Sequence, residues 1–154
     1  MARLSANGGS RMKSLSALGV LLMVAGLIGL FYTHSLFSIS PAVITIQVVA
    51  AALMVWARVT FGLRSFHATA NTTAGGLITS GPYRYIRNPI YTSVVLFSFA
   101  GAGAHMSWSS DVFALAVLAG ALARIFAEER FLRIRYAEYA EYADRTKRMI
   151  PLVF

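Results

Sequence analysis

Leu15-Ser-Ala-Leu-Gly-Val-Leu-Leu-Met-Val-Ala-Gly-Leu-Ile-Gly-Leu-Phe-Tyr32 runs without a single charge. As a helix it approaches the roughly 20 residues needed to cross a bilayer's hydrocarbon core. Working outward, a second such run, Pro41–Ala57, is interrupted only by Gln47. A third extends from Ile90 to about Met106, and a fourth from Val112 to Ala127 with Arg124 near its end. Across the 154 residues, 57% are hydrophobic and 13% charged, and the mean hydropathy is +0.63. That balance excludes a soluble globular domain and places the chain among integral membrane proteins. The expected fold is all-α, with about four transmembrane helices in a single membrane-embedded domain over residues 1–154.

Only Ser107-Trp-Ser-Ser-Asp111 separates the third and fourth runs, so they are expected to form an antiparallel hairpin. Small residues, Gly101, Gly103 and Gly120 among them, permit close contact between such helices. Charge then orients the bundle. Arg3, Arg11 and Lys13 precede the first run; Arg58, Arg64, Arg84 and Arg87 lie between the second and third; the rest close or follow the fourth. With four crossings all 14 Lys and Arg residues fall on one side, while the loops around Thr33–Ser40 and Ser107–Asp111 hold none. The excess of basic residues marks the cytoplasmic face, which predicts cytoplasmic N- and C-termini in an inner or plasma membrane of prokaryotic type. The net charge of +8 is thereby explained by topology and anionic headgroups, with no nucleic-acid partner required.

Between the second and third runs lies Thr79-Ser-Gly-Pro-Tyr-Arg-Tyr-Ile-Arg-Asn-Pro-Ile-Tyr91, dense in turn-forming, basic and aromatic residues. Irregular polar backbone beside membrane spans must line a site or sit at the surface, and a functional site is the first reading. Other chemistries are poorly provided for. The chain has no cysteine, hence no disulfide, thiolate ligand or cysteine nucleophile. His34, His67 and His105 are scattered without paired carboxylates at ligand spacing, so no metal site is expected. The basic, apolar N-terminus lacks a convincing small-residue cleavage site and reads as a span instead of a signal peptide.

Beyond the fourth run, Glu128–Asp144 is charged, aromatic and free of Gly and Pro. It is expected to continue the fourth span as a cytoplasmic helix. Tyr136, Tyr139 and Tyr142 recur every third residue, and anchoring at the membrane interface is the favoured reading for them over substrate contact.

Gly81-Pro-Tyr-Arg-Tyr-Ile-Arg-Asn-Pro-Ile-Tyr91, an apolar hairpin, Glu128-Glu129, a Tyr139-x-x-Tyr142 pair and a terminal Arg148-Met-Ile-Pro151 together resemble the isoprenylcysteine carboxyl methyltransferase family and its phospholipid methyltransferase relatives. The resemblance covers roughly residues 75–154. Asn88 stands where that family usually has His, which keeps hydrogen bonding but removes imidazole proton chemistry. The resemblance implies a small membrane enzyme that binds S-adenosylmethionine at the cytoplasmic face, between the loop before the hairpin and the C-terminal helix. A lipophilic substrate would enter from the bilayer.

The residue types suit that cofactor's sulfonium, ammonium, carboxylate and adenine. Glu128 or Glu129 can meet the ammonium or the ribose hydroxyls, and Arg87 can pair with the carboxylate. Tyr83 and Tyr91 can pack on adenine or face the sulfonium. Backbone around Asn88-Pro89, at the start of the third helix, offers N–H groups. Arg124 can orient a carboxylate acceptor, and Glu128 can take the proton from an amine or thiol. Arg124 at a span's end can equally snorkel to headgroups. Two other functions fit the same residues less well: an NADPH-dependent membrane sterol or enone reductase, which carries a similar Arg-x-Pro-x-Tyr segment, and a non-catalytic membrane scaffold or carrier.

Overall fold

Uncharged runs flanked by polar turns fold as helices because hydrocarbon leaves backbone groups no partner but one another. A computed structural model describes residues 2–62 and 76–151. Among these residues are five α-helices and no strand: α1 (Ala2–Tyr32), α2 (Pro41–Phe61), α3 (Pro89–His105), α4 (Trp108–Arg135) and α5 (Tyr139–Arg145). A 3₁₀ turn, Gly81–Arg84, precedes α3. Three stretches are long and apolar enough to cross a membrane: Gly9–Tyr32, Pro41–Phe61 and Trp108–Arg135. The third run is a helix as expected but has only 17 residues. Arg64 and His67 lie outside the described residues.

Local chemistry sets the ends. Thr33 and Ser35 turn their hydroxyls onto the carbonyls of Gly29 and Thr33, and His34 takes a left-handed φ of 56°, so α1 stops. Pro41 opens α2, where its missing N–H costs nothing. Gly62, with φ 67°, closes α2 by donating its N–H to the carbonyls of Arg58 and Val59. Ser107 caps α4 by accepting from the Ser110 N–H at 3.2 Å.

The bundle is tied together at identifiable heights. Between α1 and α4, Ser16 meets Arg124, Gly19 meets Gly120 and Gly26 meets Val117, and just past α1 Ser35 meets Ser110, which fixes an antiparallel pair. A Cβ on Gly19 would sit 2.8 Å from the Gly120 carbonyl oxygen, so the two backbones touch only because neither residue has a side chain. Leu30, Ala102, Ala114 and Val117 form the buried core beyond this crossing. Between α2 and α3, buried Gln47 donates to the carbonyls of Leu36 (2.7 Å) and Phe97 (3.3 Å). Tyr91 of α3 reaches Glu128 of α4, so that pair is antiparallel too.

Two expectations are corrected here. The small residues of the α3–α4 hairpin do not serve mainly to join those two helices. Gly120 faces α1, a Cβ on Gly101 would collide with the backbone of Leu36, and Gly103 has nothing nearby. Nor is Glu128–Asp144 one helix. α4 ends at Arg135, Tyr136 is extended (φ −120°, ψ 116°), and α5 is a separate short helix. The break lets the chain fold back, and the bridge between Lys147 and Ile86 returns it to the start of α3.

With helices alternating in direction, the starts of α1 and α3 and the ends of α2 and α4 share one end of the bundle. Arg11, Lys13, Arg58, Arg84, Arg87, Arg130, Arg133 and Arg135 lie there. α4 rises about 42 Å at 1.5 Å per residue, against roughly 30 Å of hydrocarbon. The excess leaves its charged last two turns room to extend beyond the hydrocarbon.

Candidate active site

The basic end of the bundle gathers all eight residues singled out from sequence: Tyr83, Arg87, Asn88, Pro89, Tyr91, Arg124, Glu128 and Glu129. All but Tyr83 and Pro89 divide into two networks, because Glu128 and Glu129 are successive on α4 and their side chains diverge by about 100°.

Glu129 is 4% exposed and is the hub of a clasp. Its Oε1 accepts from Arg87 Nε at 3.2 Å, Asn88 Nδ2 at 3.0 Å and Arg148 Nε at 3.2 Å. Its Oε2 accepts from Arg148 Nη2 at 3.1 Å. Backbone bonds run alongside: Arg87 N–H to Lys147 O at 2.7 Å, Asn88 N–H to Arg148 O at 3.1 Å and Lys147 N–H to Tyr85 O at 3.2 Å. Thr92 Oγ1 donates to Met149 O at 3.0 Å. Arg87 further donates through Nη1 to the carbonyls of Ala143 (2.7 Å) and Thr146. Its guanidinium therefore ties the start of α3 to the end of α5 and the residue after it, and Asn88, with both its backbone and side-chain N–H groups engaged, binds the chain beyond α5. The Arg148 guanidinium also lies 4.9 Å over the Phe126 ring.

The second network sits where α1, α3 and α4 meet. Tyr91 donates its hydroxyl to Glu128 Oε1 at 2.7 Å, and Arg124 Nε lies 2.9 Å from the same oxygen. Arg124 Nε is also 2.6 Å from the Tyr91 hydroxyl, and its Nη1 reaches Ser16 Oγ at 3.3 Å. Arg124 is 8% exposed, so it is held inside the bundle and does not snorkel outward. Glu128 keeps a quarter of its side chain exposed, 25%, and both its contacts fall on Oε1. Pro89 is buried at the first position of α3, two residues before Tyr91.

Aromatic residues close the clasp side. Tyr83 is buried with its ring 5.7 Å from Phe61 at the end of α2. Gly81 makes this turn possible: its φ is 58°, and a Cβ there would collide with Thr60. Tyr142 donates its hydroxyl to Tyr83 O at 2.8 Å, and its ring lies 5.8 Å from that of Tyr139. Tyr139 and Tyr142 are thus buried inside the protein, which corrects the expectation that they anchor at the membrane interface. Burial pushes the Tyr142 phenol up to about 12, and it raises Tyr83 and Tyr139 still further.

Ser16, Arg148 and the Met149 carbonyl were not foreseen as parts of these networks. A lone serine in an apolar run carries no signal by itself, whereas Arg148 was visible as part of the terminal Arg-Met-Ile-Pro element. Among the described residues, Thr60–Gly62 and Leu77–Ser80 line a cleft of about 540 Å³ near the end of α2. Among the described residues, no group of three or more His, Asp or Glu side chains is gathered to hold a metal ion.

No solved structure matches the chain. It is 36% identical over 131 residues to the cobalt-zinc-cadmium resistance protein CzcN of Cupriavidus metallidurans, a match covering 81% of this chain and 58% of that protein. The chain thus spans little more than half the length of this relative. The family model described as phospholipid methyltransferase matches residues 59–139, which include the 3₁₀ turn, all of α3 and α4, and both glutamates. The chain therefore belongs to the phospholipid methyltransferase family, a family of integral membrane methyltransferases.

Proposed function

We propose that the protein transfers a methyl group from S-adenosylmethionine to a lipophilic acceptor at the cytoplasmic face of the membrane, in the manner of the isoprenylcysteine carboxyl methyltransferases. In this reading α3 is a fourth, short span, since about 17 residues is the lower limit for crossing. The basic end of the bundle, both termini included, faces the cytoplasm of a prokaryotic-type cell. The observation that carries the reading is Glu128: a partly exposed carboxylate fixed through one oxygen by Tyr91 and Arg124 at the membrane boundary, leaving its other oxygen for a ligand.

The residues present suit the cofactor's chemistry. Glu128 offers a carboxylate for an ammonium or for ribose hydroxyls, and Tyr83 and Tyr91 offer aromatic faces for a sulfonium. Bound S-adenosylmethionine would supply an electrophilic methyl carbon. This chain's part is to hold the acceptor in line and to take up any proton it releases. Arg124 is neutralised by Glu128 and engaged by Ser16 and Tyr91, so its role is to hold Glu128 in place. That arrangement suits a protic acceptor, an amine, thiol or phenol, whose proton goes to Glu128. It suits a carboxylate acceptor less, because such an acceptor would compete with Glu128 for the one guanidinium.

Arg87, Asn88 and Glu129 contribute by fixing the turn that carries Tyr83 and the start of α3, from which Tyr91 projects. Calorimetric titration of the detergent-purified protein with S-adenosylhomocysteine and, separately, with NADPH tests the proposal. Binding of S-adenosylhomocysteine, weakened in Glu128→Gln, is the expected result. Binding of NADPH alone would move the assignment to a reductase, and binding of neither by a folded sample would leave a scaffold or carrier.

A further inference from the structure

Among the described residues, one buried side-chain polar atom has no hydrogen-bond partner: the hydroxyl oxygen of Tyr139. The residue is 1% exposed, the largest side chain to be so completely enclosed. Leaving a buried hydroxyl unpaired is destabilising, and phenylalanine would fill the same space without that cost. The ring itself is well packed. Arg133 lies 5.5 Å over one face and Tyr142 meets it at a steep angle, so the hydroxyl cannot swing out to solvent. Its surroundings are polar, for the Glu129 carboxylate and the Arg87 guanidinium both act on it electrostatically. Yet their hydrogen bonds go to each other, to Asn88, to Arg148 and to backbone carbonyls. Its neighbour Tyr142 has a partner in the Tyr83 carbonyl, so the surrounding structure is able to satisfy a phenol and leaves this one unsatisfied.

Resting on the methyltransferase reading, we infer that Tyr139 is a cofactor contact, its hydroxyl directed at an acceptor oxygen of S-adenosylmethionine, in the ribose or the carboxylate. Burial and the neighbouring carboxylate keep the phenol protonated at physiological pH, so it serves as a donor. Arg87 beside it has its Nε and Nη1 donors committed to Glu129 and the carbonyls of Ala143 and Thr146.

The test compares Tyr139→Phe with Tyr142→Phe in the full-length, detergent-purified protein, with S-adenosylhomocysteine as the probe. Tyr139→Phe should leave the melting temperature of the ligand-free protein unchanged or raise it, while weakening S-adenosylhomocysteine roughly tenfold. Tyr142→Phe should lower the ligand-free melting temperature. Should the Phe variant fold poorly, 3-fluorotyrosine placed at 139 alone provides a second reading, its fluorine resonance shifting on saturation with S-adenosylhomocysteine. Wild-type protein that binds the probe, together with a Tyr139→Phe variant that binds it equally well or a fluorine signal that does not move, overturns the inference and leaves the methyltransferase reading standing. Failure of the wild type to bind removes both.

Discussion

Glu128 and Glu129 are neighbours in the chain and opposites in their surroundings. Glu129 is buried with both oxygens engaged, by two guanidinium groups and an amide, and those donors come from the start of α3 and from the segment after α5. Glu128 uses one oxygen, for a phenol and a guanidinium within the helical bundle, and remains partly exposed. A carboxylate with every lone pair engaged holds a structure together; one with an oxygen to spare can do chemistry. The pair shows how a single α4 turn serves both purposes, because successive helical positions face different neighbours.

Removing the saturated carboxylate is the strongest way to break this comparison. Glu129→Ala leaves Arg87 and Arg148 without their shared counter-charge and is expected to cost about 3–5 kcal/mol, read as a large fall in melting temperature. A variant as stable as wild type would mean that the clasp is not what holds the C-terminal segment. Glu128→Gln keeps an acceptor oxygen for Tyr91 and Arg124 and should retain the fold. Its methyl transfer should fall at least about a hundredfold, measured with labelled cofactor and a membrane lipid extract. Activity close to wild type would sink the assignment of Glu128 as proton acceptor.

Away from both carboxylates, Gly120→Ala forces a Cβ to within 2.6 Å of the Met23 amide nitrogen and should cost about 2 kcal/mol. Gly103→Ala, with open space around it, should be neutral or slightly stabilising, and a comparable loss at both sites would refute the α1–α4 seam. Among the destabilising changes the smallest is Tyr142→Phe, about 1 kcal/mol at neutral pH. Its pH dependence sharpens the assignment. The Tyr142 phenol is raised in the folded state, so the stability it contributes is present below its ordinary value near 10 and is lost as pH rises through about 12. Tyr142→Phe should therefore show a shallower alkaline decline than wild type.

Hydropathy was enough to locate α1 to α4, because a span must satisfy its own backbone and advertise itself by length. The clustering of Tyr83, Arg87, Tyr91, Arg124, Glu128 and Glu129 was legible from their chemistry and from the alternation of the helices. Pairing was not. Gly120 could have faced α3 as readily as α1, since a small residue specifies closeness and names no partner. The break at Tyr136 left no Gly or Pro to announce it, and it is the Arg87 and Glu129 contacts far away in sequence that draw the chain back. The split of roles between adjacent glutamates was equally invisible, for it depends on which neighbours each side chain meets.

The contact of Gly19 with Gly120 has a consequence in time. About a hundred residues separate the two positions, and a ribosome adding about 5–20 residues per second needs roughly 5–20 s to make the second after the first. Through that interval the glycine face of α1 has no α4 to pack against. A nascent chain halted before α4 would hold α1 to α3 and lack both carboxylates, so the helix that closes the glycine seam also completes the two networks.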